Sequence, residues 1–369
     1  MSHVPGFGRI ETYVLNRTLI SVSWALGVIG FIIMLIDFVE LSRTVGVRAK
    51  EASAFGLFTL TLLESPSVIL LLLPFAFLFG VLGAYVNLNR RSELIAMRAA
   101  GVSAWRFILP AAVAAAVIGV ITVTVLNPVA ARMNAEFQRR QTELMEGYLP
   151  GASKAVWMRQ GDGQTQIIIR AGSREGPGLQ LKDVTLFFFQ QDSQGGLHFT
   201  RRLDADSARL RRGALELTGV ESGVPGAAGL RLGTVTIPSP LNEDTAVERF
   251  ASPQAVPFWS LPEMIRETEK AGFSATAYRM QLYQLLATPL MFAGMSILAA
   301  AFSLRLLRLG GIGVLAASGV ALGFGFFFFS QLCSTLGRAG VVPPLAAAWT
   351  PPILVLLAGV TLLFYTEDG

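Results

Sequence analysis

The stretch LNRRSELIAMRAAGVSAWRF, Leu88 to Phe107, carries Arg90, Arg91, Glu93, Arg98 and Arg106 between two apolar runs of membrane-crossing length. Asn89 suits an N-cap, Glu93 falls in a first turn where negative charge favours the helix dipole, and Gly101 follows as a C-terminal breaker. The stretch therefore reads as a helix at residues 89–101, about three turns long, joining two membrane spans. Leu94, Met97 and Gly101 share one side, and Ile95, Ala99 and Val102 flank another. Two readings fit this pattern. The helix lies on the membrane surface and presents Arg90, Arg91, Glu93 and Arg98 to water or a partner. Alternatively it is a plain positively charged connection in which Arg90 and Glu93 form an i,i+3 pair worth about 0.3 kcal/mol.

Outward from this helix the chain is apolar. Its 369 residues are 52% hydrophobic and only 15% charged, with a mean hydropathy of +0.54, too apolar for an ordinary soluble protein. Apolar windows of roughly 20 residues, enough to cross a bilayer at helical rise, lie at Leu19–Val39, Ser67–Leu88, Phe107–Leu126, Tyr283–Phe302, Ile312–Leu332 and Leu345–Tyr365. The first lacks a small-x-small cleavage site after it and is expected to be a retained span. Pro74, Pro110, Pro289 and Pro352 fall within or near the spans, where membrane helices tolerate them. With the N-terminus inside, the cytoplasmic segments hold Arg9, Arg17, Arg90, Arg91, Arg98, Arg106, Arg305 and Arg308, and the opposite side holds Arg43, Arg48, Lys50 and Arg338. The bias puts both termini in the cytoplasm.

Between the third and fourth spans the pattern changes. Asn127 and Pro128 are expected to end the third span, and a polar helical stretch follows. From about Ala155 to Pro240 come six short β-rich runs, AVWMRQ, TQIIIRA, VTLFFFQ, LHFTRRL, ALELTGV and GTVTI, separated by Gly, Asp and Ser clusters. That spacing predicts an antiparallel sandwich or open barrel, outside the cytoplasm by the orientation above. A short helix near SLPEMIRETEK then leads into span four.

Few residues carry chemistry. The chain has His3, His198 and one cysteine, Cys333, so neither an internal disulfide nor a multi-thiolate metal site is expected. A phosphate-binding P-loop needs lysine directly after glycine, and Lys50, Lys154, Lys182 and Lys270 all follow another residue. No ATP hydrolysis, metal or cofactor is expected in this chain. The positive net charge of +5 comes without a basic stripe of interleaved aromatics, so nucleic acid is not an expected partner. Asp37 and Glu64 near the outer span ends are either relay carboxylates or solvated helix-end acids. Arg43, Arg48 and Lys50 just outside span one either attract lipid phosphates or anchor the helix at headgroup level. In GFGFFFFSQ of span five, Phe324 and Phe326 either line an apolar cavity for acyl chains or face lipid.

The segment RRSELIAMRAAGVS resembles the cytoplasmic coupling helix of the lipopolysaccharide-export permeases, the LptF/LptG family, at Arg91, Ser92, Glu93, Leu94, Met97 and Gly101. Six spans split three and three, a β-rich insertion after the third, and the VVPP loop at Val341–Pro344 extend the likeness over essentially the whole chain. The stretch SATAYRMQLYQLLATPL looks closer to the G-type subunit than to the F-type. The resemblance implies an α-helical membrane protein of six transmembrane helices with an inserted periplasmic, antiparallel, jellyroll-like β domain. Residues 1–126 would hold spans one to three with the coupling helix, 127–275 the β domain with flanking helices, and 276–369 spans four to six. It also implies a heterodimer with a related permease, a cytoplasmic ATPase dimer docked on the coupling helices, lipopolysaccharide as cargo, and periplasmic bridge proteins built of similar β domains. Glu93 matches the acidic residue that engages the ATPase groove, and spans one and five would form lateral gates. The chain departs from the pattern at Asp37, which stands about where enterobacterial G-type members carry lysine; Arg43 is the nearby basic residue. The competing expectation, from a different class, is a membrane-anchored envelope scaffold or sensor without transport activity.

Overall fold

The structure, a computed structural model, describes residues 8–46, 54–146, 156–161, 165–175, 180–191, 197–211, 214–223, 230–239, 253–270, 274–306 and 312–367. Its helices, in chain order, are α1 Arg9–Gly46, α2 Ala54–Arg90, α3 Glu93–Ala99, α4 Ala104–Ile121, α5 Asn127–Glu146, α6 Leu261–Lys270, α7 Thr276–Leu306, α8 Ile312–Arg338 and α9 Pro344–Glu367. Six helical stretches are long and apolar enough to cross a membrane, supplied by α1, α2, α4 running into α5, α7, α8 and α9. Each contains one of the expected apolar windows. Helical geometry continues through Pro66 and Pro74 in α2, Pro110 in α4, Pro289 in α7 and the Pro351–Pro352 pair in α9.

Helix α7 is the centre of the bundle and packs against α9, α4 and α2. Lipid chains are as apolar as leucine, so helices in a membrane associate mainly by close packing, and small residues let them approach. Ala299, Ala300 and Ala301 of α7 are accordingly buried, and Phe77 of α2 meets Phe292 of α7 with ring centroids 4.9 Å apart. Two glycines set the closest approaches. A Cβ on Gly119 of α4 would lie 2.6 Å from the Cα of Pro289 in α7, and one on Gly80 of α2 would strike the Cα of Val22 in α1.

The expectation that Asn127 and Pro128 break the third span is corrected. After Ile121 the chain passes through a π-helical turn, Thr122–Leu126, and continues directly as α5. Pro128 has no N–H to offer the carbonyl of Thr124, four residues back, and π-turns are one way a helix absorbs such a fault. The indole of Trp259, in the short 3₁₀ turn Phe258–Ser260, supplies the missing donor: its Nε1 donates to the Thr124 oxygen at 3.1 Å. The backbone N–H of Phe258 donates to Asn127 Oδ1 at 2.9 Å. The returning chain is thereby fastened to the third span just before α6.

The β domain is one antiparallel, jellyroll-like sheet of six strands: β1 Val156–Gly161, β2 Thr165–Glu175, β3 Gln180–Gln191, β4 Leu197–Arg211, β5 Ala214–Gly223 and β6 Leu230–Pro238. All six expected β-rich runs are strands, and neighbours pair in chain order. One face carries a buried cluster that includes Ile169, Leu186, Leu203 and Leu217. Side chains alternate faces along a strand, so an inserted residue reverses the alternation. In β3 the buried set passes from Leu181 to Val184 across Asp183, whose φ is 51°; in β5 it passes from Leu217 to Val220 across Gly219, whose φ is 70°. A kink line thus crosses the sheet, and the same apolar face stays inward on both sides of it.

These contacts give three expected outcomes. Gly80→Ala should destabilise the protein by about 1–3 kcal/mol through overpacking, whereas Gly83→Ala, with nothing within 4 Å of its Cβ, should leave stability unchanged or raise it by up to about 1 kcal/mol through helix propensity. Trp259→Phe keeps the ring but loses the bond to Thr124, for about 1 kcal/mol. Thermal unfolding in detergent, followed by helical circular dichroism, checks all three.

Candidate functional site: the α3 elbow and the far end of α1

Helix α2 runs two residues past the expected span end, so Asn89 sits in its last turn and not at an N-cap. A tight turn follows, with the N–H of Arg91 bonded to the Asn87 oxygen at 3.2 Å and that of Ser92 to the Asn89 oxygen at 2.8 Å. Ser92 takes the N-cap position with a left-handed backbone, φ 60°, and its hydroxyl makes no capping bond. The helix itself is Glu93–Ala99, shorter than residues 89–101. Its end is closed as the glycine signal implies: Gly101 N–H bonds to the Arg98 oxygen at 2.9 Å and Val102 N–H to the Met97 oxygen at 3.1 Å, with Gly101 at φ 78°. This is the paired arrangement of a Schellman motif.

The inner side of α3 is held at several points. Leu94 is 1% exposed within the main helical core, and Met97 and Val102 pack against the same core. Arg98 Nη2 donates to the backbone oxygen of Thr366, in the last turn of α9, at 3.0 Å. Just beyond, Trp105 meets Phe364 of α9 edge-on, centroids 5.4 Å apart, and Arg106 pairs with Glu11 of α1 at 2.6 Å. Glu11 is itself anchored by the N–H of Gly8. Short as it is, α3 therefore contacts α2 and α9 and leads directly into α4, which is itself paired with α1.

These contacts correct the expected outward face. Arg98 turns inward to α9. The Glu93 Oε2 atom is buried and has no hydrogen-bond partner among the described residues, where no ion pair joins it to Arg90. Arg91 and Ser92 remain exposed, and the most prominent outward group is Ile95, 60% exposed, flanked by Ala96 and Ala99. The motif residues Arg91, Ser92, Glu93, Leu94, Met97 and Gly101 are thus together but unlike in role: Leu94 and Met97 anchor, Gly101 terminates, and Arg91, Ser92 and Glu93 form the approach to the helix. Ile95 was legible only as an apolar residue off the Leu94–Met97 side. The Arg98–Thr366 and Arg106–Glu11 links join residues too distant in sequence to leave any local signal.

At the other end of α1, Arg43 is exposed in the last turn, while Arg48 and Lys50 lie outside the described residues. The structure separates Phe324 from Phe326. Two residues apart on a helix they point to different sides: Phe324 is 59% exposed and stacked on Phe328 at 6.3 Å, whereas Phe326 packs on the main core and meets Phe75 of α2 edge-on at 6.4 Å. A single cavity wall containing both is corrected accordingly. Asp37 and Glu40 of α1 are close enough to Glu64 of α2 for their charges to interact. Among the described residues, no group of three or more His, Cys, Asp or Glu is placed to hold a metal ion.

Known proteins bear on this arrangement along its whole length. The family model described as lipopolysaccharide export system permease LptF/LptG matches residues 12–365. Two curated relatives named lipopolysaccharide export system permease protein LptG, from Escherichia coli K12 and from Escherichia coli O6:H1, are each 22% identical to this chain over 361 residues, covering 97% of it and 98% of the relative. With its six apolar helices, inserted antiparallel sheet and α3 elbow, the chain belongs to the LptF/LptG family of lipopolysaccharide export system permeases.

Proposed function

We propose that this chain is a permease subunit of an ATP-driven transporter that extracts lipopolysaccharide from the inner membrane and passes it to a periplasmic bridge. The observation that carries the reading is α3: an exposed apolar knob, Ile95, on a short helix tied to α2, α4 and α9. Such an element moves as part of the bundle when it is pushed, because its anchors are packed core and a buried-side hydrogen bond. ATP chemistry then belongs to a separate cytoplasmic ATPase dimer, whose closure displaces α3. In this reading both termini are cytoplasmic, the sheet is periplasmic, and the divisions at residues 1–126, 127–275 and 276–369 are functional ones.

Two spans are suited to face the related permease and the cargo. Only 6% of the apolar stretch of α1 and 17% of that of α8 is buried, against 56% for α7. These uncovered faces bear Phe31, Ile32, Leu35 and Ile36 on α1 and Phe324, Phe328 and Leu332 on α8. Acyl chains entering between two permeases would meet such surfaces. Arg43, with Arg48 and Lys50 following it in sequence, would meet the phosphates of the glycolipid.

The test separates docking from folding. Ile95→Asp and Glu93→Ala should abolish or sharply reduce co-isolation of the ATPase in mild detergent, and with it export, while leaving the melting temperature within about 2 °C, as expected for exposed or half-exposed positions. Leu94→Ala should instead lower stability by about 2–4 kcal/mol through a core cavity. ATPase co-isolation and export unchanged in both docking variants would reject the coupling role, and a lone homo-oligomer from native membranes would favour a scaffold.

A further inference from the structure

We propose that a cleft between the first turns of α1 and the last turns of α2 binds the phosphate of an anionic membrane phospholipid. The cleft encloses about 240 Å³ and is lined by Tyr13, Arg17, Ser21 and Trp24 of α1 and by Asn87 and Arg91 at the end of α2. Its charge is positioned but not neutralised. Arg17 Nε donates to the Tyr13 hydroxyl at 3.3 Å, and its guanidinium carbon lies 5.5 Å from the Tyr13 ring centroid. Both are neutral partners. Among the described residues neither Arg17 nor Arg91 has a carboxylate partner. Two guanidiniums with an added hydroxyl and amide form a receptor for a phosphate oxygen set, since arginine matches that geometry with paired donors.

The surroundings select a lipid over a soluble anion. Trp24 is 72% exposed and lies seven residues beyond Arg17, roughly 10 Å further along the helix axis. Ile20, between them, is also exposed and lines the same cleft. Cationic donors at one level and an outward indole and isoleucine about two turns deeper reproduce the division between headgroup and acyl chain, where tryptophan concentrates in membrane proteins. The site is distinct from the glycolipid contact proposed at Arg43. Twenty-six residues of helix, roughly 39 Å, separate Arg17 from Arg43, which places them at opposite faces of a bilayer core about 30 Å thick. The inference needs only that α1 and α2 cross a membrane, and stands apart from any transport role.

The test uses the full chain, exchanged from phosphatidylglycerol-containing or purely phosphatidylcholine nanodiscs into mild detergent, with retained lipid counted by native mass spectrometry. Wild type should retain a phosphatidylglycerol and not a phosphatidylcholine. Arg17→Gln should reduce retention about tenfold, the loss of one charge-assisted contact, and Arg17→Lys should lose less. Arg91 is left intact because it also adjoins α3. Arg266→Gln, an exposed arginine on α6 bonded to the Pro262 oxygen, should behave as wild type, and melting curves verify that each variant is folded. Equal retention in Arg17→Gln, equal retention of phosphatidylcholine, or displacement by millimolar inorganic phosphate would overturn the proposal. If Arg17→Gln does not fold, Asn87→Leu read in the same way decides between the same outcomes.

Discussion

A backbone carbonyl without a donor is tolerable in water and costly in hydrocarbon, and this constraint shapes the molecule wherever its helices depart from regularity. The clearest case is the third span. Pro128 removes the donor that Thr124 would otherwise use, the helix slips into a π-turn at Thr122–Leu126, and the indole of Trp259 closes the gap from a segment that has already passed through the whole β domain. The seam between spans and sheet is therefore a hydrogen-bonded joint. Asn127, which reads as a helix breaker, instead accepts the N–H of Phe258 and helps fasten the returning chain.

The same economy of contacts governs α3. A seven-residue helix has no independent stability, so its position is set by what it touches. Leu94 in the core, the closing bonds around Gly101 and the Arg98 bond to Thr366 hold it against α2 and α9, leaving Ile95 outward. A force applied at Ile95 reaches the last turn of α9 through one hydrogen bond and the core through Leu94 and Met97. That directness gives a small surface element mechanical access to the bundle.

Much of this architecture was legible in the sequence, for a physical reason. Spans announce themselves by the length of an apolar run and strands by short β-rich runs between turn residues; both are local properties, and all twelve elements are where those signals put them. The RSEL segment likewise located α3. What sequence could not supply was direction. Glu93 and Arg98 look equally solvent-facing by composition, yet one has a buried oxygen and the other bonds a carbonyl 268 residues away. Phe324 and Phe326 look like one aromatic tract, yet only one faces the core. The π-turn escaped because Asn-Pro ordinarily ends a helix, and the donor that lets this one continue comes from Trp259, on the far side of the β domain.

Helix α1 shows how these constraints combine. At one end Val14 and Val22 are buried, Gly80 of α2 admits the Val22 backbone, and Glu11 is paired with Arg106. At the other, Leu41 joins Leu57, Leu60 and Phe137 of α2 and α5 in a small core of its own. Between Val22 and Leu41 no residue is buried. A span held at both ends and only half-covered along its middle, where Leu26 and Phe38 still touch the cores, leaves its other central face, with Phe31, Ile32, Leu35 and Ile36, open to lipid or to a second chain. Conversely, the end contacts with α2, α4 and α5 hold both ends of the helix, so its exposed middle is a face fixed in place at its two ends.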